Sequence, residues 1–234
     1  MSEFIHGGDV ISYKNYYDGE MIDFSSNINP LGLPNSVKTG IELGMRELDS
    51  YPDVKYRRLK SNLSKYLGAN QSQIVVGNGA VEVIDLVISI FKRVILVYPA
   101  FAEYELRSEV HGLEIVKIAL NDDFSLDLES ISDEMEEGTL ILIGNPNNPT
   151  GNRIEINELS KLHDIAVENK GFLLLDEAFF EFCPYDYDTV ELYKLTGYKH
   201  IGIIRAATKF FSLPGIRLGY GVFSEEMVKK LELV

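Results

Sequence analysis

Two patterns of apolar residues alternate along this chain. Short, nearly continuous apolar runs occupy 74–76, 94–98, 114–118, 140–143, 172–176 and 201–204, with a weaker one at 217–222. A run that is apolar at successive positions predicts a strand buried on both faces. Between the runs lie stretches of helical period, at 81–91, from Pro99 to about His111, at 127–135 and at 155–168. Two further helices are predicted ahead of the first strand, over 34–48 and 56–67, the second stopped by Gly68. Strands alternating with helices predict an α/β fold with a mostly parallel central sheet covered by helices. In such sheets ligands bind beyond the carboxyl ends of the strands, so the residues that follow each run are the ones to read for chemistry.

Charge narrows the partners. The chain of 234 residues carries 22 basic and 36 acidic residues, a net charge of -14. Such a surface repels a phosphate backbone, and no nucleic-acid partner is expected. An anionic small molecule would need arginines or helix N-termini to override that field locally. The one cysteine, Cys183, forms no disulfide within the chain and suits a reducing, cytoplasmic setting. The first nine residues lack the basic and apolar segments of a signal peptide. The longest apolar stretches fall well below the ~20 residues that span a bilayer, so no membrane partner is expected. His6, His111, His163 and His200 lie far apart, with no metal-ligand spacing.

Four segments carry candidate chemistry. Gly77-Asn-Gly79-Ala80-Val81-Glu82 joins a strand to a helix. Its glycines permit a tight turn, and the N–H groups of Ala80 and Val81 would face an anion. A plain strand-to-helix turn explains this segment as well. Asn145-Pro-Asn-Asn148-Pro-Thr-Gly151 follows the run at 140–143, and its two prolines make a rigid loop suited to placing an amide. Asp176 ends a buried strand, where a carboxylate is costly without a cation; a helix cap is the alternative. Lys209 stands among apolar neighbours, and desolvation lowers a lysine pKa and makes the amine nucleophilic. Arg217 lies beyond a Pro-Gly turn and suits a phosphate. Phosphate donors, an amide, a counter-ion and a Schiff-base amine are together what pyridoxal 5'-phosphate (PLP) needs.

With these motifs the chain, from about His6 to its end, resembles the fold-type I PLP enzymes of the aspartate aminotransferase superfamily, in the histidinol-phosphate aminotransferase branch. Within that branch it resembles most the threonine-phosphate decarboxylases, through His6-Gly-Gly-Asp9, Asp23-Phe-Ser-Ser-Asn27-Ile-Asn-Pro-Leu-Gly32, Pro99-Ala-Phe101-Ala-Glu-Tyr104 and Asp176-Glu-Ala-Phe179. The resemblance implies that Lys209 carries the cofactor covalently, Asp176 pairs with its ring nitrogen, Asn148 bonds O3' and Phe101 stacks on the ring. It implies that Gly79, Ala80, Val81, Thr208 and Arg217 hold the phosphate. Tyr51 would reach the phosphate of a neighbouring subunit in a homodimer, and His6 and Asn27 would touch substrate. Residues 1–50 then form an N-terminal arm and the start of the fold, and 51–234 the PLP-binding large domain, ending in a linking helix. The family's C-terminal small domain, which supplies arginines for the substrate, is expected to be missing. Arg57, Arg107 and Arg153 could replace those arginines only by residue type.

Two positions depart from the aminotransferase pattern. Phe179 replaces a tyrosine near O3', as in the decarboxylases, and Ala206 replaces a hydroxyl that assists the phosphate, a loss of about 1 kcal/mol. The resemblance therefore implies decarboxylation of L-threonine O-3-phosphate to aminopropanol phosphate, in cobalamin biosynthesis. Transamination of histidinol phosphate or a related phosphorylated amino acid is the alternative, and a remnant that binds PLP without turnover is another.

Overall fold

The computed structural model describes residues 7–14, 16–17 and 19–234. Seven strands form one sheet among them: β1 Ile74–Asn78, β2 Arg93–Tyr98, β3 Glu114–Ala119, β4 Leu140–Gly144, β5 Phe172–Asp176, β6 Ile201–Ala206 and β7 Leu218–Val222. Their order is β1-β7-β6-β5-β4-β2-β3. The five strands from β6 to β3 run parallel, whereas β7 is antiparallel to both β1 and β6. The fold is α/β with a mixed, mostly parallel sheet. The exception has a local cause. Between β6 and β7 the chain makes a 3-10 turn, Pro214–Ile216, and no helix, so it returns along the edge it left. A parallel return needs a crossover, usually helical.

Successive residues of the strands feed two cores. Ile141, Ile143, Leu173 and Leu175 pack with Leu159 and Leu162 of the helix Ile156–Glu168 and with Leu63 of the helix Arg57–Leu67. Leu140, Leu142 and Leu174 pack with Val83, Ile84 and Val87 of the helix Ala80–Ser89. Coverage on both faces is why the strands read as continuous apolar runs rather than alternating ones. Each buried Leu or Ile contributes about 1.5–3 kcal/mol. The helix Ala102–Val110 follows β2, and Leu128–Asp133 follows β3.

The N-terminal quarter is built differently. The helices Val10–Tyr13 and Asn35–Gly44 bury no residue, and the predicted helix over 34–48 ends its α-helical part at Gly44 and continues as one 3-10 turn, Met45–Glu47. Near the other end, Ser224 caps the helix Glu225–Leu231 by accepting from the Met227 N–H. Among the described residues no helix is long and apolar enough to cross a membrane.

Candidate active site

The parallel strands aim their carboxyl ends at a cavity of about 600 Å³. Its wall brings together Asn27, Ala80, Val81, Phe101, Asn148, Asp176, Thr208, Lys209 and Arg217, which lie far apart in sequence.

One end of the cavity is a cradle for an anion. The helix Ala80–Ser89 is preceded by Gly79, which has φ +90° and makes no side-chain cap, and its first residues, Ala80 and Val81, line the cavity. Arg217 closes the other side. A Cβ on Gly79 would collide with Arg217 Nη2, and a Cβ on Gly219 would collide with Ala80 N. The backbone approach of the helix start to strand β7 therefore requires glycine at 219, and the φ of +90° favours it at 79. Helix N–H groups beside a guanidinium make a phosphate-sized site.

The other end holds a buried acid. Asp176, the last residue of β5, is 7% exposed. Its Oδ2 accepts from the Tyr104 hydroxyl at 2.8 Å and its Oδ1 from the Ala178 N–H at 3.1 Å. Burial pushes its carboxyl up, opposed by those two donors and by the charge of Lys209. Both hydrogen bonds thus come from neutral donors, and neither brings a cation to the carboxylate. Phe101, just before the helix Ala102–Val110, meets the Tyr104 ring edge-on at 5.6 Å. Asn148 lies in the loop after β4, which has cis peptide bonds at Asn145–Pro146 and Asn148–Pro149. Phe179 places its ring centre 5.8 Å from Lys209 Nζ and offers no hydroxyl there.

Lys209 sits between these ends. Its Nζ donates to the Ser26 carbonyl at 2.6 Å. Burial depresses its pKa, and Arg217 adds to that, while Asp176 and Asp23 oppose it. The lysine loop is tied to the N-terminal segment. Asn29 N–H donates to the Lys209 carbonyl at 3.0 Å, Asn29 Nδ2 to the Phe210 carbonyl at 2.9 Å, and Ser212 Oγ to the Asn29 carbonyl at 2.9 Å. The same segment presents Asn27 to the cavity.

Other expected residues lie elsewhere. Tyr51 is fully exposed and lines no part of this cavity within the single chain. His6 lies outside the described residues. Ala206 lines the cavity without a hydroxyl. The three candidate arginines are engaged: Arg57 with Asp53 at 2.9 Å, Arg107 with Asp85 at 2.6 Å, and Arg153 with the Tyr187 carbonyl at 2.6 Å and over the Tyr187 ring. None of the three lines the cavity. His111 pairs with Asp85, His163 with the Lys199 carbonyl and His200 with the Gly171 carbonyl.

Sequence reasoning missed Tyr104 as a site residue, although its signal was present. Phe101 and Tyr104 are three apart at a helix start, a spacing that puts both on one face.

The residues fit PLP. An open helix start beside a guanidinium suits its phosphate, a buried carboxylate bonded by neutral donors suits its protonated ring nitrogen, and a half-buried amine lies between them. Comparisons with known proteins agree with this geometry. A protein of Caldanaerobacter subterraneus subsp. tengcongensis, provisionally named a threonine-phosphate decarboxylase, is 41% identical over 99% of this chain and 63% of its own length. The crystal structure of histidinol-phosphate aminotransferase from Clostridium acetobutylicum superposes with a TM-score of 0.83, at 40% identity over 91% of this chain and 64% of that one. The fold is shared by histidinol-phosphate aminotransferase from Sinorhizobium meliloti, solved in complex with pyridoxal-5'-phosphate, with a TM-score of 0.80 at 22% identity, covering 89% of this chain and 58% of that one. This chain thus spans a little under two thirds of the length of the relatives it matches. The family described as aminotransferase class I and II matches residues 19–234. This chain belongs to the class I and II aminotransferase family.

Proposed function

We propose that this chain is the PLP-binding part of an enzyme that transforms a phosphorylated amino acid or amine at its Cα. The observation that carries the reading is a pair in the cavity wall: an amine with a depressed pKa and a buried carboxylate bonded by neutral donors. Transamination of the histidinol-phosphate aminotransferase type is the first reading, supported by the 40% identity to the clostridial enzyme of that name.

Bound PLP supplies a protonated ring that accepts electrons from a breaking bond at the substrate Cα. This chain's residues supply the rest. Arg217, Thr208 and the Ala80 and Val81 N–H groups, with Gly79 keeping the cradle open, hold the phosphate. Asp176 retains the proton on the ring nitrogen, and Tyr104 orients that carboxylate. Phe101, in the cavity wall, would cover one ring face and keep water from it. Asn148 bonds O3'. Lys209 would hold the cofactor covalently, and its amine in the neutral form would serve as the base that takes a proton from Cα or returns one. Its burial favours that neutral form. Asn27 faces the substrate, and Tyr51 serves the site of a partner in a homodimer. Exposed Leu48, Tyr51 and Val54 support such an interface.

A second reading is decarboxylation of L-threonine O-3-phosphate to aminopropanol phosphate, as a step of cobalamin synthesis. Phe179 supports it, because its ring offers no hydroxyl near the O3' position, and so does the 41% identity to the relative of that name. The same residues serve both reactions, so products must separate them. Glutamate-dependent amino-group exchange with a phosphorylated 2-oxo acid or ketone supports transamination. Carbon dioxide from carboxyl-labelled threonine phosphate, without a keto product, supports decarboxylation. PLP binding with neither product would overturn both.

A further inference from the structure

Directly behind the cavity, the same three strand ends carry a second polar cluster that the proposed chemistry does not use. Period-two alternation puts Glu177 opposite to Asp176 and Arg205 opposite to Ala206. Asn145 is the first residue after β4, three positions before Asn148. The backbones of these ends are laced together: Asn145 N–H donates to the Asp176 carbonyl at 2.8 Å, and Glu177 N–H to the Ile204 carbonyl at 2.7 Å.

The side chains then bridge all three strands. Glu177 Oε1 accepts from Asn145 Nδ2 at 3.1 Å. Glu177 Oε2 accepts from Arg205 Nε at 3.0 Å and from the Thr189 hydroxyl at 2.8 Å. Asn145 Oδ1 accepts from the Ile154 N–H at 3.0 Å, and Arg205 Nη2 donates to Asp188 at 2.7 Å. Arg205 lies over the Phe180 ring, 3.4 Å from its centre. Glu177, Asn145 and Thr189 are fully buried, and Arg205 is 3% exposed. An ion pair this deep costs much desolvation and is a poor source of stability alone. A planar guanidinium bonded on several sides does fix geometry.

We propose that Glu177, Arg205 and Asn145 are positioning residues, a rigid brace that fixes the spacing of the strand ends bearing Asn148, Asp176 and Lys209. None of the three lines the cavity. They act through their chain neighbours: Asn145 anchors the loop of Asn148, Glu177 anchors Asp176, and Arg205 anchors the start of the segment that delivers Thr208 and Lys209. The inference rests on the reading of the cavity as a PLP site.

The test uses the full chain with PLP as the probe and three readouts. These are the unfolding midpoint without cofactor, the dissociation constant for PLP, and the pH midpoint of the absorbance change of the Lys209-linked chromophore. The double variant R205M/E177L replaces the pair by apolar side chains of similar bulk and leaves only the half-exposed Asp188 and the neutral donors of Thr189 and Asn145 without these partners, so its unfolding midpoint should fall much less than that of R205M alone. Its dissociation constant should nevertheless rise about tenfold or more, with a shifted pH midpoint, because sites loosened by a fraction of an ångström lose this much. T189V removes only one donor to Glu177 and should weaken PLP about threefold. A folded double variant with the parent's dissociation constant and pH midpoint would show a merely structural pair and overturn the proposal. If the double variant does not fold, T189V decides, and unchanged binding there overturns it too. A parent chain that fails to bind PLP at Lys209 sinks the cofactor reading and this inference together. A parent that binds normally beside unaffected variants sinks the inference alone.

Discussion

Asp176 and Glu177 are consecutive, both buried, and both acids, yet they meet opposite surroundings. Glu177 faces away from the cavity and has a guanidinium, a hydroxyl and an amide on its two oxygens. Asp176 faces into the cavity and has a phenol and one N–H. The same contrast holds one strand over. Arg205 is paired with two carboxylates, while Lys209 donates to a neutral carbonyl. Behind the strand ends, charges are neutralised and the backbone is fixed. In front, charge is held by neutral partners, at a cost in folding free energy. The lesson is that incomplete pairing marks the functional face, because a cationic ring, a phosphate and an amine-bearing substrate are what would complete it.

The strongest attack on that contrast is to break the back-face pair. R205M leaves Glu177 buried without its cation and should cost about 3–5 kcal/mol, read from denaturant unfolding of the cofactor-free chain. A loss under about 1 kcal/mol would erase the distinction between the faces. The matching change in front should do the reverse. D176N removes a buried charge bonded only by neutral donors, so the cofactor-free chain should be as stable or more stable. Its affinity for PLP should fall about a hundredfold, since losing an opposite charge at this range moves a proton equilibrium by one to three pKa units.

The pH dependence sharpens the point. Asp176 is pushed up by burial, so the folded state holds its proton more tightly than the unfolded chain does. Its contribution to stability is present at low pH and lost as pH rises through the raised value. Lys209 is depressed by burial, so its contribution is present above the unfolded lysine value and lost as pH falls through the lowered one. D176N should therefore flatten the acid side of the stability profile of the cofactor-free chain, measured by thermal unfolding across pH.

Smaller effects come from neutral groups. Y104F deletes one donor to Asp176, costing about 1 kcal/mol of affinity for PLP and pushing the Asp176 carboxyl further up. Y51F should be nearly silent in the stability of the single chain, within about 0.5 kcal/mol, because its side chain is exposed. An effect of Y51F on PLP affinity that grows with protein concentration would support the proposed partner contact.

Much of this arrangement is legible in the sequence alone, for physical reasons that differ by element. Strands β2, β4 and β5 stand out because both their faces are buried, which forces continuous apolar runs. Asp176, Asn148 and Lys209 are legible because each is a polar residue close behind such a run, where strand ends meet ligands. The direction of β7 is not: Leu218-Gly-Tyr-Gly-Val222 is short, and the return path of the loop before it decides its sense. The brace is hidden for another reason. Glu177, Arg205 and Asn145 look like ordinary polar residues until the sheet shows that they face one buried spot. The ties from Asn29 to the lysine loop join residues about 180 apart, and no local pattern signals such a contact.

The central claim is that the cavity is a PLP site centred on Lys209. Mixing the chain with PLP, reducing with borohydride and mapping the modified lysine by mass spectrometry tests it most directly. The account predicts label on Lys209, abolished in K209M and weakened in D176N. A folded chain that stays unlabelled at Lys209, or carries label scattered over its surface lysines, would contradict it.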